Sequence, residues 1–164
     1  MTPPAIIDLE ASGFGRGSYP IEVGFVASDG SLFCSLIRPD PGWLHWDEQA
    51  QALHGISREV LCQHGKPALW VAQQMNQRLA GQTVFSDAWG HDYSWLARLF
   101  DAVDMVPSFR LEDLRTLLSQ DEISHWQSTL EQVRAEQQLR RHRASSDALV
   151  LQLTLMRVKQ LVLH

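Results

Sequence analysis

Apolar positions along the first forty residues run continuously or alternate, as they do in strands. After Pro39-Asp40-Pro41-Gly42-Trp43 they mostly recur every three or four residues, as they do in helices. Ala5 to Glu10 predicts a short buried strand, ended by a loop because Gly13, Gly15 and Gly17 follow at once. Pro20–Ala27 and Ser31–Arg38 are two further strand-like runs, and the Ser28-Asp29-Gly30 between them is a hairpin signal. The three strands predict an antiparallel meander. Short helices are expected over Asp47–His54 and Arg58–Gln63, stopped by Gly55 and Gly65. A longer helix spans Ala68–Ala80, with Leu69, Ala72, Met75 and Leu79 at helical spacing. A fourth strand is expected at Thr83–Ser86, then a helix over His91–Val103 with Trp95, Leu96, Leu99 and Phe100 on one face. Pro107–Leu111 is read as a fifth strand and Glu112–Leu118 as a helix. Ile123–Leu139 is an amphipathic, highly charged helix, and Ser145–Leu161 is the last, with Leu149, Leu153, Met156 and Gln160 in register. No repeat or low-complexity tract interrupts this order. A meander followed by alternating helices and strands predicts an α/β fold, a mixed five-stranded sheet flanked by helices, in one domain over residues 1–164.

Composition narrows the function classes. A chain of 164 residues with 45% hydrophobic content can bury a core without disulfide staples. Its two cysteines, Cys34 and Cys62, have neither pairing nor metal-type spacing, which fits reduced thiols and a cytoplasmic location. No apolar run approaches the ~18 residues of a membrane span, and Met1-Thr2-Pro3-Pro4-Ala5-Ile6-Ile7-Asp8 lacks the basic start and apolar stretch of a signal peptide. No membrane partner is therefore expected. The net charge of −5 argues against coating duplex nucleic acid through a broad basic face. It leaves open an enzyme that grips a few phosphates locally through metal ions.

Three segments carry candidate chemistry. In Asp8-Leu9-Glu10 the two acids stand two apart on a strand and so share a face, opposite Ile7 and Leu9. Paired carboxylates repel unless a cation lies between them, and hard oxygen ligands suit Mg²⁺ or Mn²⁺. Two solvated acids at a strand edge are the plainer alternative. Asp92 stands in the first turn of the helix after Thr83–Ser86, where a carboxylate also serves the helix dipole. His142 precedes the final helix, and Asp147 lies in its first turn. Ser145 or Ser146 is the expected cap there, and a surface histidine with a dipole-complementing acid is the ordinary reading.

Taken together, Asp8-x-Glu10, Asp92 at a strand-to-helix junction, and His142 five residues before Asp147 resemble the three motifs of the DEDD-type 3′–5′ exonucleases. The histidine-containing, DnaQ-like branch is the match, the group that includes proofreading subunits, RNase T and oligoribonuclease. Pro20-Ile21-Glu22-Val23-Gly24 resembles the family's second strand, and Leu53-His54-Gly55-Ile56-Ser57 a segment following its third. The resemblance implies an RNase H-like sheet, its first three strands antiparallel and the remainder parallel. It implies two divalent ions, Mg²⁺ or Mn²⁺, with Asp8 bridging both, Glu10 and Asp147 on the nucleophile side, and Asp92 on the other ion partly through water. His142 is the implied general base, and its unperturbed pKa of ~6.5 suits that role. The implied partner is the 3′ end of a single strand, facing Ala11, Ser12, Gly13 and Phe14, with Phe14 stacking on the last base or, alternatively, tucked onto the core.

One departure from the family stands in the second motif. Members often carry His-Asn-Ala-x-Phe-Asp, whereas this chain reads Asp87, Ala88, Trp89, Gly90, His91 before Asp92. Asp87 is a rival acid, set aside here because it lies at the strand end rather than on the helix. His91 is a less favoured base, and His54 is expected to be structural. Arg140, Arg141 and Arg143 are expected either to guide the phosphate backbone or to be a solvated helix end. Some relatives dimerise, and Ile123–Leu139 with Trp126 is the segment for a homodimer if it is not simply a surface helix. The alternative function is a catalytically silent exonuclease-fold module that binds nucleic acid or a protein, which the full set of four acids and a histidine disfavours. An Asp-x-Asp phosphatase is excluded because the second acid is Glu10 and no Thr follows in the expected place, and a true RNase H because it would place its Glu on a helix rather than two residues from the first Asp.

Overall fold

The structure is a computed structural model, and it describes residues 2–137 and 144–163. Five strands form one mixed sheet: β1 (Ala5–Ala11), β2 (Pro20–Val26), β3 (Leu32–Leu36), β4 (Thr83–Ser86) and β5 (Arg110–Asp113), in the order β3-β2-β1-β4-β5. β1, β2 and β3 pair antiparallel, while β1 with β4 and β4 with β5 pair parallel, as the sequence predicts. The β2–β3 turn closes where expected. Gly30 takes φ 86°, and the Asp29 carboxylate accepts the Ser31 N–H at 2.9 Å.

β1 lies at the centre of the sheet, and its alternation assigns its residues to two layers. Ala5, Ile7, Leu9 and Ala11 face a core shared with α3 (Ala68–Leu79) and α4 (Trp89–Ala102), where Val71, Met75, Leu99 and Phe100 are buried. Ile6 faces the opposite core, built with Leu130 and Val133 of α5 (Gln120–Gln137) and with Ala148, Leu151 and Leu155 of α6 (Ala144–Val162). Asp8 and Glu10 therefore emerge on the α5–α6 side. Two short helices, α1 (Glu48–His54) and α2 (Arg58–His64), lie between β3 and α3. They are capped by Asp47 and Ser57, and Gly55 ends α1 in the left-handed region at φ 71°.

Three expectations are corrected. The fifth strand is Arg110–Asp113 rather than Pro107–Leu111, because the parallel ladder beside β4 pairs Thr83 with Arg110 and Ser86 with Asp113. The helix expected at Glu112–Leu118 shrinks to a 3-10 turn, Leu114–Leu117, capped by the Asp113 carboxylate on the Arg115 N–H at 2.9 Å. The last helix starts at Ala144, so Ser145 and Ser146 lie inside it. The Ala144 N–H instead donates to the Glu22 carboxylate on β2 at 2.7 Å.

Candidate active site

The four acids of the sequence motifs come from three distant stretches of chain and meet over the central strand β1. Asp8, Glu10 and Asp147 each bring a carboxylate oxygen within 4.8 Å of the other two. Asp8 also belongs to a second cluster at the same spacing, with Asp92 and Asp87. Asp8 is thus common to two groups, in a cavity of about 970 Å³ that these acids line with Ala11, Gly13, Phe14, His91, Trp95 and Arg134.

Two contacts deliver Asp147. Gly24 stands opposite Asp8 in the β1–β2 ladder, and a Cβ there would lie 2.1 Å from the Ser145 backbone nitrogen and 2.3 Å from the Ala144 carbonyl carbon. Only glycine lets the first turn of α6 settle on β2. Glu22, paired across the ladder with Glu10, then takes the N–H at the start of the helix. From that anchor Asp147 falls one turn along, over Asp8 and Glu10. The role of Glu22 lies beyond the sequence reading, although its signal is present: one acid inside the otherwise buried strand PIEVGFV.

Asp92 is positioned from the other side. α4 begins at Trp89, two residues before the expected start, and Asp92 lies in its first turn with its N–H on the Ala88 carbonyl. The Ser86 hydroxyl donates to Asp92 Oδ2 at 2.5 Å and itself accepts the Ala88 N–H at 3.1 Å. Asp92 is 1% exposed, and its Oδ1 has no hydrogen-bond partner among the described residues.

Burial and mutual repulsion push these acids towards their protonated forms. Asp8 is raised well above the usual carboxylate range, first by burial and then by Asp92, Glu10, Asp147 and Asp87. Glu10 is pushed up to about 8 by burial, then by Asp147, Glu22 and Asp92. Burial lifts Asp92 to about 7 against the lowering effect of the Ser86 hydrogen bond. Asp87 is raised chiefly by the pocket walls, while Arg134 and Arg115 lower it. Solvent at its outer edge makes that shift weaker in consequence than those of Asp8 and Asp92. A buried carboxylate oxygen without a donor, among acids held close enough to share a ligand, fits hard divalent cations. Asp8, Glu10, Asp92 and Asp147 are the residues that would hold them.

The loop after β1 shapes the rim. Ser12 is fully buried. Its hydroxyl accepts the Tyr19 N–H at 3.0 Å and meets His45 Nδ1 at 2.9 Å, while its carbonyl accepts the Asp47 N–H at 2.9 Å. Gly13 passes so close to this segment that a Cβ would lie 2.7 Å from Asp47 Cβ and 2.8 Å from His45 Cε1. Pinned in this way, the loop presents Phe14 to solvent at 62% exposure, edge-on to His91 at 5.1 Å and 6.0 Å from Trp95. His54 lines the same cavity, and its Nδ1 accepts the Ile56 N–H at 3.0 Å, the structural role expected of it. Trp126 is partly buried and walls a second cavity of about 200 Å³ with Leu114, Leu118 and Ile123. His142, the base candidate, and Arg140, Arg141 and Arg143 lie outside the described residues.

The mixed sheet and its flanking helices form an RNase H-like fold that matches part of exonuclease I. The chain superposes on the moderately thermophilic exonuclease I of Methylocaldum szegediense with a TM-score of 0.70 and 13% identity, over 95% of this chain and 40% of that one. E. coli exonuclease I in complex with a dA16 oligonucleotide gives a TM-score of 0.70 at 13% identity, over 97% and 41%. The zinc-bound form of the E. coli enzyme with single-stranded DNA gives 0.66 at 13%, over 94% and 39%. This chain therefore spans about two fifths of the length of those structures. No protein-family model matches the sequence, and no curated protein matches it.

Proposed function

We propose that this chain is a metal-dependent 3′–5′ exonuclease that removes nucleoside 5′-monophosphates from single-stranded or short DNA or RNA, using two divalent ions, Mg²⁺ or Mn²⁺. The observation that carries the reading is the convergence of Asp8, Glu10, Asp92 and Asp147 as two clusters sharing Asp8. The fold it shares with exonuclease I, whose structures include complexes with single-stranded oligonucleotides, supports the same class.

The reaction is an in-line attack of water on the terminal phosphodiester. A new P–O bond forms from the water oxygen, and the P–O3′ bond to the preceding nucleotide breaks. Divalent ions held there would supply Lewis acidity to the attacking and leaving oxygens. Asp8 would be the ligand common to both ions, Glu10 and Asp147 would hold the one on the nucleophile side, and Asp92, oriented by Ser86, would hold the one on the leaving-group side. His142 takes the proton from the attacking water. Phe14 offers an exposed ring beside the cavity for the terminal base, with Ala11 and Gly13 lining the floor and Ser12 fixing the loop. The leaving 3′ oxygen takes its proton from solvent.

A 5′-labelled single-stranded oligonucleotide incubated with Mn²⁺ tests the proposal, with matched DNA and RNA strands side by side. The expected result is a descending ladder from the 3′ end that disappears with EDTA or in Asp8→Asn. An oligonucleotide that is bound but stays intact would overturn it in favour of the silent module.

A further inference from the structure

Asp87 belongs to the site. It follows Ser86 at the end of β4, before α4 begins, and its carboxylate reaches within 4.8 Å of both Asp8 and Asp92. Bare repulsion would turn an exposed loop acid away from two others, since solvent lies on its open side. The neighbouring Asp92 supplies a second observation. It is 1% exposed, has one oxygen taken by Ser86, and carries an Oδ1 with no hydrogen-bond partner among the described residues. Asp92 lines the same cavity as Asp8 and Asp87. A cation bound among Asp8, Asp87 and Asp92 would neutralise this buried carboxylate in its ionised form, and Asp87 is within reach of the same ion.

We propose that Asp87 is a direct ligand of the second divalent ion, with Asp8 and Asp92, so that three carboxylates of this chain hold it. The inference rests on the two-ion reading above and departs from the arrangement in which that ion is held by Asp8 and, partly through water, by Asp92. Its chemistry differs in charge. Five carboxylates, Asp8, Glu10, Asp87, Asp92 and Asp147, carry one negative charge more than two divalent cations neutralise. Among the described residues, Arg134 and Arg115 act electrostatically on Asp87 against that excess. The second ion is accordingly bound tightly before any phosphate arrives, rather than being completed by the substrate. An amide at position 87 would leave the backbone path unchanged and remove one anionic ligand.

Titration calorimetry with Mn²⁺ alone, at pH 8, on the full chain tests this, with Mn²⁺ electron paramagnetic resonance as a second readout. The wild type is expected to bind two ions. Asp87→Asn and Asp87→Ser should each keep one ion at near-wild-type affinity and weaken the other at least tenfold. Asp147→Asn should weaken the opposite ion and leave the Asp87-dependent one in place. Melting curves in EDTA check that the variants fold, and removal of a like charge beside Asp8 should leave Asp87→Asn at least as stable as the wild type. Two ions bound normally by both Asp87 variants, or both ions weakened equally, overturn the role of Asp87 while the two-ion site stands. A wild type that binds no Mn²⁺ overturns the site and this inference together.

Discussion

Asp92 and Glu22 show how single side chains set the geometry of the acid cluster. Ser86 holds Asp92 Oδ2 at 2.5 Å, and Ser86→Ala should leave the carboxylate free to rotate. The loss of one charge-assisted hydrogen bond costs about 1.5–3 kcal/mol, so a fall in melting temperature together with weaker binding of one Mn²⁺ ion is the expected outcome, read by thermal denaturation and calorimetry. His142→Gln should lower kcat by roughly 10²–10⁴-fold while two Mn²⁺ ions still bind. A loss of both ions in that variant would mean that His142 is a ligand rather than a base. Asp8, Glu10, Asp92 and Asp147 are legible in the sequence through their resemblance to three ordered motifs, since alternation and helix-start position alone leave the ordinary readings open. Asp87 stands there as a rival acid but is set aside, because a loop residue after a strand has no period to orient it. Glu22 reads only as part of a strand segment, because its task depends on an N–H 122 residues away.

At the scale of elements, the docking of α6 on β2 governs the site. Gly24→Ala would drive a methyl into the Ala144–Ser145 backbone, where the ideal Cβ lies 2.1 Å from nitrogen. Overpacking of this kind costs about 1–3 kcal/mol or more, and roughly 3–10 °C in melting temperature for a chain of this size. Because the first turn of α6 carries Asp147, Mn²⁺ affinity should fall with stability, and an unchanged affinity would show that α6 adjusts without moving Asp147. The β1 loop makes a different prediction. Phe14→Ala should weaken binding of a single-stranded oligonucleotide by roughly 5- to 100-fold, the equivalent of ~1–3 kcal/mol of base stacking, with little effect on melting temperature because the ring is 62% exposed. The β1–β3 meander was readable from alternation and one Asp-Gly turn. The β5 region was not, because a four-residue strand is defined by its partner. Asp113 both closes the β4 ladder and caps the following turn, two roles that local pattern cannot separate.

Across the whole molecule, the acid cluster ties stability to pH and to metal. The described residues contain no helix long and apolar enough to cross a membrane, and the chain carries a net charge of −5. Glu10, raised to about 8, and Asp92, raised to about 7, both have folded-state pKa values above their unfolded ones. The stability they contribute is full below about pH 4 and is lost as pH rises through 7 to 8. In EDTA the melting temperature should therefore fall between pH 5 and 8.5, and less steeply in Glu10→Gln. The same ionisation favours metal, so Mn²⁺ affinity should climb over that interval with release of protons, measurable by calorimetry in buffers of different ionisation enthalpy. Mn²⁺ at 100 times its Kd adds about 2.7 kcal/mol of stability, roughly 5–10 °C, and no shift at millimolar metal would count against the site. The order in which the chain is synthesised adds a temporal dimension. Asp8, Glu10 and Asp92 leave the ribosome before Asp147, which arrives on α6, a helix that can seat only on a finished β2. A nascent polypeptide exposed as far as α5 would hold only the Asp8, Asp87 and Asp92 group, and the Asp8, Glu10 and Asp147 group closes only once α6 is made.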